Sequence, residues 1–127
     1  MDTHVVIWVL SDESRLSQSA KAAIDEARQR GSGLAVCAIT LLEMTILTLK
    51  RRLELNISLE ALLREVEKNF VVLPITGRAC VRSLSLPEGY PKDPADRIIA
   101  ATALVEGLSL LTADREIRRS KAVPTIW

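Results

Sequence analysis

The sequence predicts an α/β fold with a short, mostly parallel central sheet covered by helices on both faces. Three observations lead there. Short, uninterrupted apolar runs (Leu34–Cys37, Phe70–Leu73, Leu108–Leu111) alternate with longer amphipathic segments. The runs lack the polar alternation of a strand with one face in water, so they suit strands buried on both faces. Strand and helix signals also follow one another in chain order, as in layered α/β domains.

The elements are justified in turn. Asp2 can cap a helix beginning near Thr3, and the apolar run Val5–Leu10 ends at Ser11-Asp12-Glu13-Ser14. Ser17 to Arg30 reads as a helix with Ser17 as N-cap, an Ala20/Ala23/Ile24/Ala27 stripe and Gly31 as its stop. Leu34–Cys37 is a buried strand, and a helix follows from Thr40 to Arg52, opened by a Thr40-Leu-Leu-Glu43 capping box. Ser58 caps the next helix, to Asn69, with Leu59, Leu62, Leu63 and Val66 inward. Phe70–Leu73 is a strand closed by Pro74, and Thr76–Leu84 a short helix. After a loop marked by Pro87, Gly89 and Pro91, Pro94–Glu106 is a helix with Asp93 at the N-cap and Pro94 at its first position. Leu108–Leu111 is a strand, Asp114–Arg119 a short helix, and Val123–Ile126 a last β-like segment.

Composition narrows the class. The 127 residues fit one domain, 1–127, with one core. Apolar residues are 48% and charged residues 26%, the balance of a globular protein rather than a disordered one. A net charge of +1 names no partner. No apolar stretch approaches the roughly 18–20 residues of a membrane span, and no leader peptide is visible. Cys37 and Cys80 sit in apolar contexts without CxxC spacing, read as two reduced core thiols of a cytoplasmic protein. One histidine disfavours a His-rich zinc site.

The informative feature is a repeated position. Asp2, Glu43, Asp96 and Asp114 all fall beside an apolar run, in the first turn of a predicted helix. Each alone is explained as a cap. Together they change meaning, because helix N-termini that follow parallel strands converge on the carboxyl edge of the sheet, where ligand crevices form. Clustered carboxylates repel, and hard oxygen ligands without His or Cys point to Mg²⁺ or Mn²⁺. Such ions orient a phosphodiester and activate water. Basic residues at Lys50-Arg51-Arg52, Arg97, Arg115, Arg118-Arg119 and Lys121 can then hold flanking phosphates. No GxGxxG or GxxxxGK[ST] is present, which disfavours a nucleotide cofactor.

Several segments carry a family resemblance. They are Asp2-Thr3-His4-Val5 with Trp8 and Leu10-Ser11-Asp12, then Ala38-Ile39-Thr40-Leu41-Leu42-Glu43. Asp93-Pro94-Ala95-Asp96-Arg97 with Ile98–Ala103 follows, then Leu111-Thr112-Ala113-Asp114 and Val123–Trp127. In this order and spacing, over essentially the whole chain, the sequence resembles a PIN-domain protein, specifically a VapC-like toxin of a type II toxin–antitoxin pair. The resemblance implies a Rossmann-like three-layer α/β/α sandwich and RNA cleavage with Mg²⁺ or Mn²⁺. It carries the metal and catalytic roles to Asp2, Glu43, Asp96 and Asp114. It makes Asp93 a cap or supporting acid, lets Thr3 and Thr112 hydrogen-bond the carboxylates, and leaves His4 as a first-turn structural residue, with a general base as the alternative. Arg97, Arg115, Lys50 and Arg51 are the expected nucleic-acid contacts. The implied partners are RNA, a cognate antitoxin whose side chain blocks the acidic site, and a second copy in a homodimer.

One departure stands out. Only Met1 precedes Asp2, where the family has a first strand of several apolar residues. The first strand is therefore expected to be truncated, which puts Asp2 in question. It also motivates an alternative function, a non-catalytic protein-binding module. A phosphoacceptor-type α/β domain is a third reading. Leu41, Leu42, Ile46, Leu47, Leu49, Leu53 and Leu55 exceed what one inward helix face needs, and suggest an antitoxin groove or dimer surface.

Overall fold

The protein is described by a computed structural model, which covers residues 1–53 and 56–127. Leu55, expected in the apolar surplus, lies outside the described residues.

The elements follow local chemistry closely. Helix α1 (Thr3–Ser11) starts where Asp2 accepts from the N–H groups of His4 and Val5. Helix α2 (Gln18–Gln29) is capped by Ser17, α4 (Leu59–Asn69) by Ser58, and α5 (Gly77–Leu84) by Thr76. Helix α6 (Pro94–Val105) has Asp93 as N-cap and Pro94 in its first turn, and Asp114 caps α7 (Arg115–Ser120). Each cap satisfies N–H groups that have no partner inside the helix. A 3-10 turn at Glu13–Arg15, capped by Asp12, follows α1.

Helix α3 (Ile39–Leu49) departs from expectation. It begins before Thr40, its N-cap Ala38 makes no side-chain cap bond, and the Thr40/Glu43 capping box does not form. Thr40 is instead fully buried inside the helix, within 3.4 Å of the Thr3 hydroxyl. Its side chain is used for packing between α1 and α3, so it is not free to turn back onto the helix end.

Strand β1 (Ala35–Cys37) pairs in parallel with β2 (Val71–Leu73), and β3 (Leu110–Leu111) in parallel with β4 (Thr125–Ile126). The registers are Val36 opposite Val72 and Leu110 opposite Thr125. The sheet is thus two parallel pairs rather than one ladder. Met1 and Asp2 lie between them: the Met1 amine donates to the Ala35 carbonyl at 2.9 Å and the Asp2 N–H to the Leu111 carbonyl at 3.0 Å. These two residues make one hydrogen bond to each pair, which links the pairs without joining them into one ladder. Behind them, between β1 and β3, is an apolar slot of about 370 Å³ lined by Met1, Ala35, Leu110, Ala23, Ala27 and Ala103, among others.

Successive strand residues point to opposite faces of the sheet, and here they enter different cores. Val36 and Leu111 join Val5, Val6, Ile24, Met44 and Val66. Cys37 and Leu110 join Ile99, Ala100, Tyr90, Ile117 and Val123. That is a three-layer arrangement, with α1, α2 and α4 on one face and α6 and α7 on the other. Both cysteines are free, but only Cys37 is a core thiol, because Cys80 is exposed on α5.

Candidate active site

A cleft of about 430 Å³ opens where α1, α3, α6 and α7 begin. It is lined by Asp2, Thr3, His4, Trp8, Glu43, Asp93, Asp96, Ala113, Asp114 and Ile117. The four acids picked from sequence all reach it, and Asp93 is a fifth. The convergence follows from the fold: Glu43 lies in the helix that follows β1, Asp114 follows β3, Asp2 follows Met1 between them, and Asp96 reaches the same edge from the first turn of α6, which follows a loop rather than a strand.

Asp2 is the most firmly held. It is 8% exposed. Its Oδ1 caps α1 at 2.9 Å from His4 N and 3.2 Å from Val5 N. Its Oδ2 accepts from the Thr112 hydroxyl. Asp2 is therefore held in place without a strand before it, anchored by Leu111, Thr112 and the α1 amides. The Thr112 oxygen in turn accepts from Asp114 N at 3.1 Å, and Asp114 Oδ1 caps α7. The Thr3 hydroxyl donates to Glu43 Oε2. Both threonines thus hydrogen-bond carboxylates of the cleft, Thr3 to Glu43 and Thr112 to Asp2.

Mutual repulsion marks the electrostatics. Asp96 is pushed up to about 7, first by burial and then by the negative charges of Asp93, Glu43, Asp2 and Asp114. Burial also raises Glu43, opposed by the Thr3 hydrogen bond and reinforced by Asp93. Tyr90, buried beneath α6 with its hydroxyl 3.3 Å from the Asp96 carbonyl, is raised by burial and by the same acids. A cleft that prefers a proton on Asp96 is one that a cation can neutralise instead.

The donor set, five carboxylates with no thiolate, suits a hard divalent ion. The spacing is open: among the described residues no three His, Cys, Asp or Glu side chains stand together as a ready metal cluster.

The basic residues divide. Arg115 is exposed in the first turn of α7, next to Asp114. Lys50 and Arg51 are exposed beyond the far end of α3, seven and eight residues past Glu43, and do not line the cleft. Arg97, expected to touch nucleic acid, has another task. Its guanidinium donates to the carbonyls of Ser83 (2.9 Å), Pro91 (3.3 Å) and Leu86 (3.5 Å), tying the end of α5 and the following loop to α6. Three α3 residues, Leu42 (53% exposed), Ile46 (38%) and Leu49 (76%), form an apolar stripe at helical spacing.

Comparison with known proteins places this geometry. The PIN domain family model matches residues 1–122. The chain belongs to the PIN domain family. It is 35% identical over 129 residues to ribonuclease VapC22 of Mycobacterium tuberculosis, an alignment covering 100% of this chain and 96% of that protein. The fold is shared with VapBC2 from Rickettsia felis bound to a promoter DNA fragment (TM-score 0.72, 13% identity, 98% and 93% of the two chains). It is also shared with DNA-bound VapBC from Salmonella typhimurium (TM-score 0.69, 20% identity, 98% and 92%). A toxin–antitoxin complex from Klebsiella pneumoniae matches with TM-score 0.62 at 24% identity over 96% and 92%. The family match thus begins at the first residue of this chain, although no strand precedes α1. No helix among the described residues is long and apolar enough to cross a membrane.

Proposed function

We propose that this PIN-domain chain is a Mg²⁺- or Mn²⁺-dependent endoribonuclease and the toxin of a type II toxin–antitoxin pair. The observation that carries the reading is the meeting of Asp2, Glu43, Asp96 and Asp114 in one cleft, with Asp96 pushed up to about 7. The similarity to ribonuclease VapC22 along the whole chain supports the choice of RNA.

Asp2, Glu43, Asp96 and Asp114 would hold the ion. Bound there, it supplies an activated water and charge neutralisation for the cleaved phosphodiester. The chain's own residues prepare the ground. The Thr3 hydroxyl orients the Glu43 carboxylate, and that of Thr112 orients Asp2. Asp93 fixes the first turn of α6, which carries Asp96, and adds negative charge. Arg115, exposed beside Asp114, with Lys50 and Arg51 further out, is proposed to meet the flanking RNA backbone.

The antitoxin partner is proposed to lie on the α3 stripe of Leu42, Ile46 and Leu49 and to send a basic side chain into the acidic cleft. A homodimer is proposed as well, and its apolar candidates are Val81 and Leu84 on α5, the latter 83% exposed. Light scattering of the purified chain tests that part.

The site assignment is tested with Asp96→Asn. The variant should fold as its parent does and fail to cleave RNA; cleavage at the parent rate overturns the assignment. Calorimetric titration with Mn²⁺ separates this reading from a non-catalytic binding module, which would take up no ion.

A further inference from the structure

One wall of the acidic cleft is not acidic. His4 and Trp8 both line it, four residues apart on one face of α1. Their ring centroids are 6.2 Å apart with planes at 51°. Trp8 continues into Trp127, with centroids 5.7 Å apart. The guanidinium carbon of Arg15 lies 4.8 Å from the Trp8 centroid. The His4 backbone N–H belongs to the α1 cap, but its side chain is exposed and takes no part in that bond. Neither hydrolysis nor core packing uses the His4 ring.

Charge argues for what this wall meets. Every other ionisable group lining the cleft is a carboxylate, so a phosphate backbone alone is repelled there. A nucleobase face carries no net charge and stacks on imidazole or indole regardless. Arg15 lies over the Trp8 ring and makes no carboxylate ion pair among the described residues, so it adds positive charge to this wall that a phosphate beyond the base can meet.

We propose that His4 and Trp8, backed by Trp127 and flanked by Arg15, form a stacking subsite for one unpaired base of single-stranded RNA beside the carboxylate cleft. The proposal rests on RNA being the substrate. His4 here is a positioning residue. Bases inside a duplex have both faces covered by their neighbours, so the subsite selects loops and single strands.

The chain's two tryptophans, Trp8 and Trp127, are both in this wall, so intrinsic fluorescence reports on it directly. The test titrates the whole chain, in EDTA, with a single-stranded oligoribonucleotide and with the same sequence annealed to its complement. The expected result is saturable quenching by the single strand, with duplex binding weaker by about tenfold or more. His4→Ala weakens single-strand binding by about tenfold, the scale of one lost stacking contact. Trp8→Phe keeps most of the affinity and Trp8→Leu loses it. With metal present, His4→Ala raises KM more than it lowers kcat. Equal binding of both RNA forms, or an unchanged His4→Ala affinity, overturns the proposal. The binding arm needs no cleavage, so an inactive chain that still discriminates single strands would sink the nuclease reading and leave the subsite standing. An active chain indifferent to His4→Ala would do the reverse.

Discussion

The Thr112 hydroxyl joins two catalytic candidates that lie 112 residues apart in sequence: it donates to Asp2 Oδ2 and accepts from the backbone N–H of Asp114 at 3.1 Å. Thr112 is itself fully buried. Thr112→Val keeps the shape and removes both bonds, leaving a buried carboxylate oxygen and a backbone N–H without this partner. The expected cost is about 1–3 kcal/mol in denaturant unfolding, with cleavage lowered further because Asp2 loses its orientation. Thr112→Ser should restore most of both.

Asp96 makes the metal-free protein sensitive to pH in a defined direction. Its carboxyl is raised from 3.8 to about 7, so between those values the folded state binds more protons than the unfolded chain. Stability from this group is complete below about 4 and is lost as pH rises through 7. The Met1 amine, lowered from 8.0 to about 6 by burial, works the other way between 6 and 8. The difference between parent and Asp96→Asn isolates the carboxyl. Melting temperatures measured in EDTA should fall with rising pH in the parent more steeply than in Asp96→Asn. A parallel pair of curves would show that Asp96 is not perturbed.

Divalent metal should reverse that trend. An ion that displaces the Asp96 proton binds more tightly as pH rises toward 7, and it stabilises by mass action. Adding Mg²⁺ or Mn²⁺ should therefore raise the melting temperature more at pH 8 than at pH 5. Asp2→Asn, Asp96→Asn and Asp114→Asn should each shrink the shift, as read by thermal melts with and without chelator.

Arg97→Ala should be a stability variant. Loss of three hydrogen bonds from a charged donor to the Ser83, Leu86 and Pro91 carbonyls is expected to cost about 2–3 kcal/mol. RNA affinity of the folded fraction should be unchanged. Arg115→Ala, at an exposed position, should do the opposite: unfold with its parent and bind RNA more weakly at low salt, with a shallower salt dependence than the parent.

Leu49 is the most exposed residue of the α3 stripe, at 76%. Leu49→Glu should leave the melting temperature and RNA cleavage within error while abolishing co-purification with the antitoxin. If the complex survives, the partner sits elsewhere.

Much of this was legible in the sequence because capping is local. Ser17, Ser58, Thr76, Asp93 and Asp114 act within three residues of themselves, and each starts its helix as expected. The convergence of the acids followed from their shared place near the starts of helices, three of them after a strand or after Met1 and Asp96 after a loop. What was not legible depends on distant partners. Thr40 looks like a cap until Thr3, 37 residues away, is packed against it. Arg97 looks like an RNA contact until the end of α5 brings carbonyls to it. Cys80 has apolar neighbours in sequence, but it lies on the outer side of α5. The fixed position of Asp2 depended on Leu111 and Thr112, which no local pattern around residue 2 contains.

The division of the sheet would give a metal-loaded acidic cleft a mechanical role. Glu43 follows β1, in one strand pair; Asp114 follows β3, in the other; and Asp2 sits on the seam between them. An ion gripped by all three would span that seam and act as a fastener between the two halves. Stripping the metal would then loosen the molecule along one line, and exchange of the Asp2 amide would report it before the helices open.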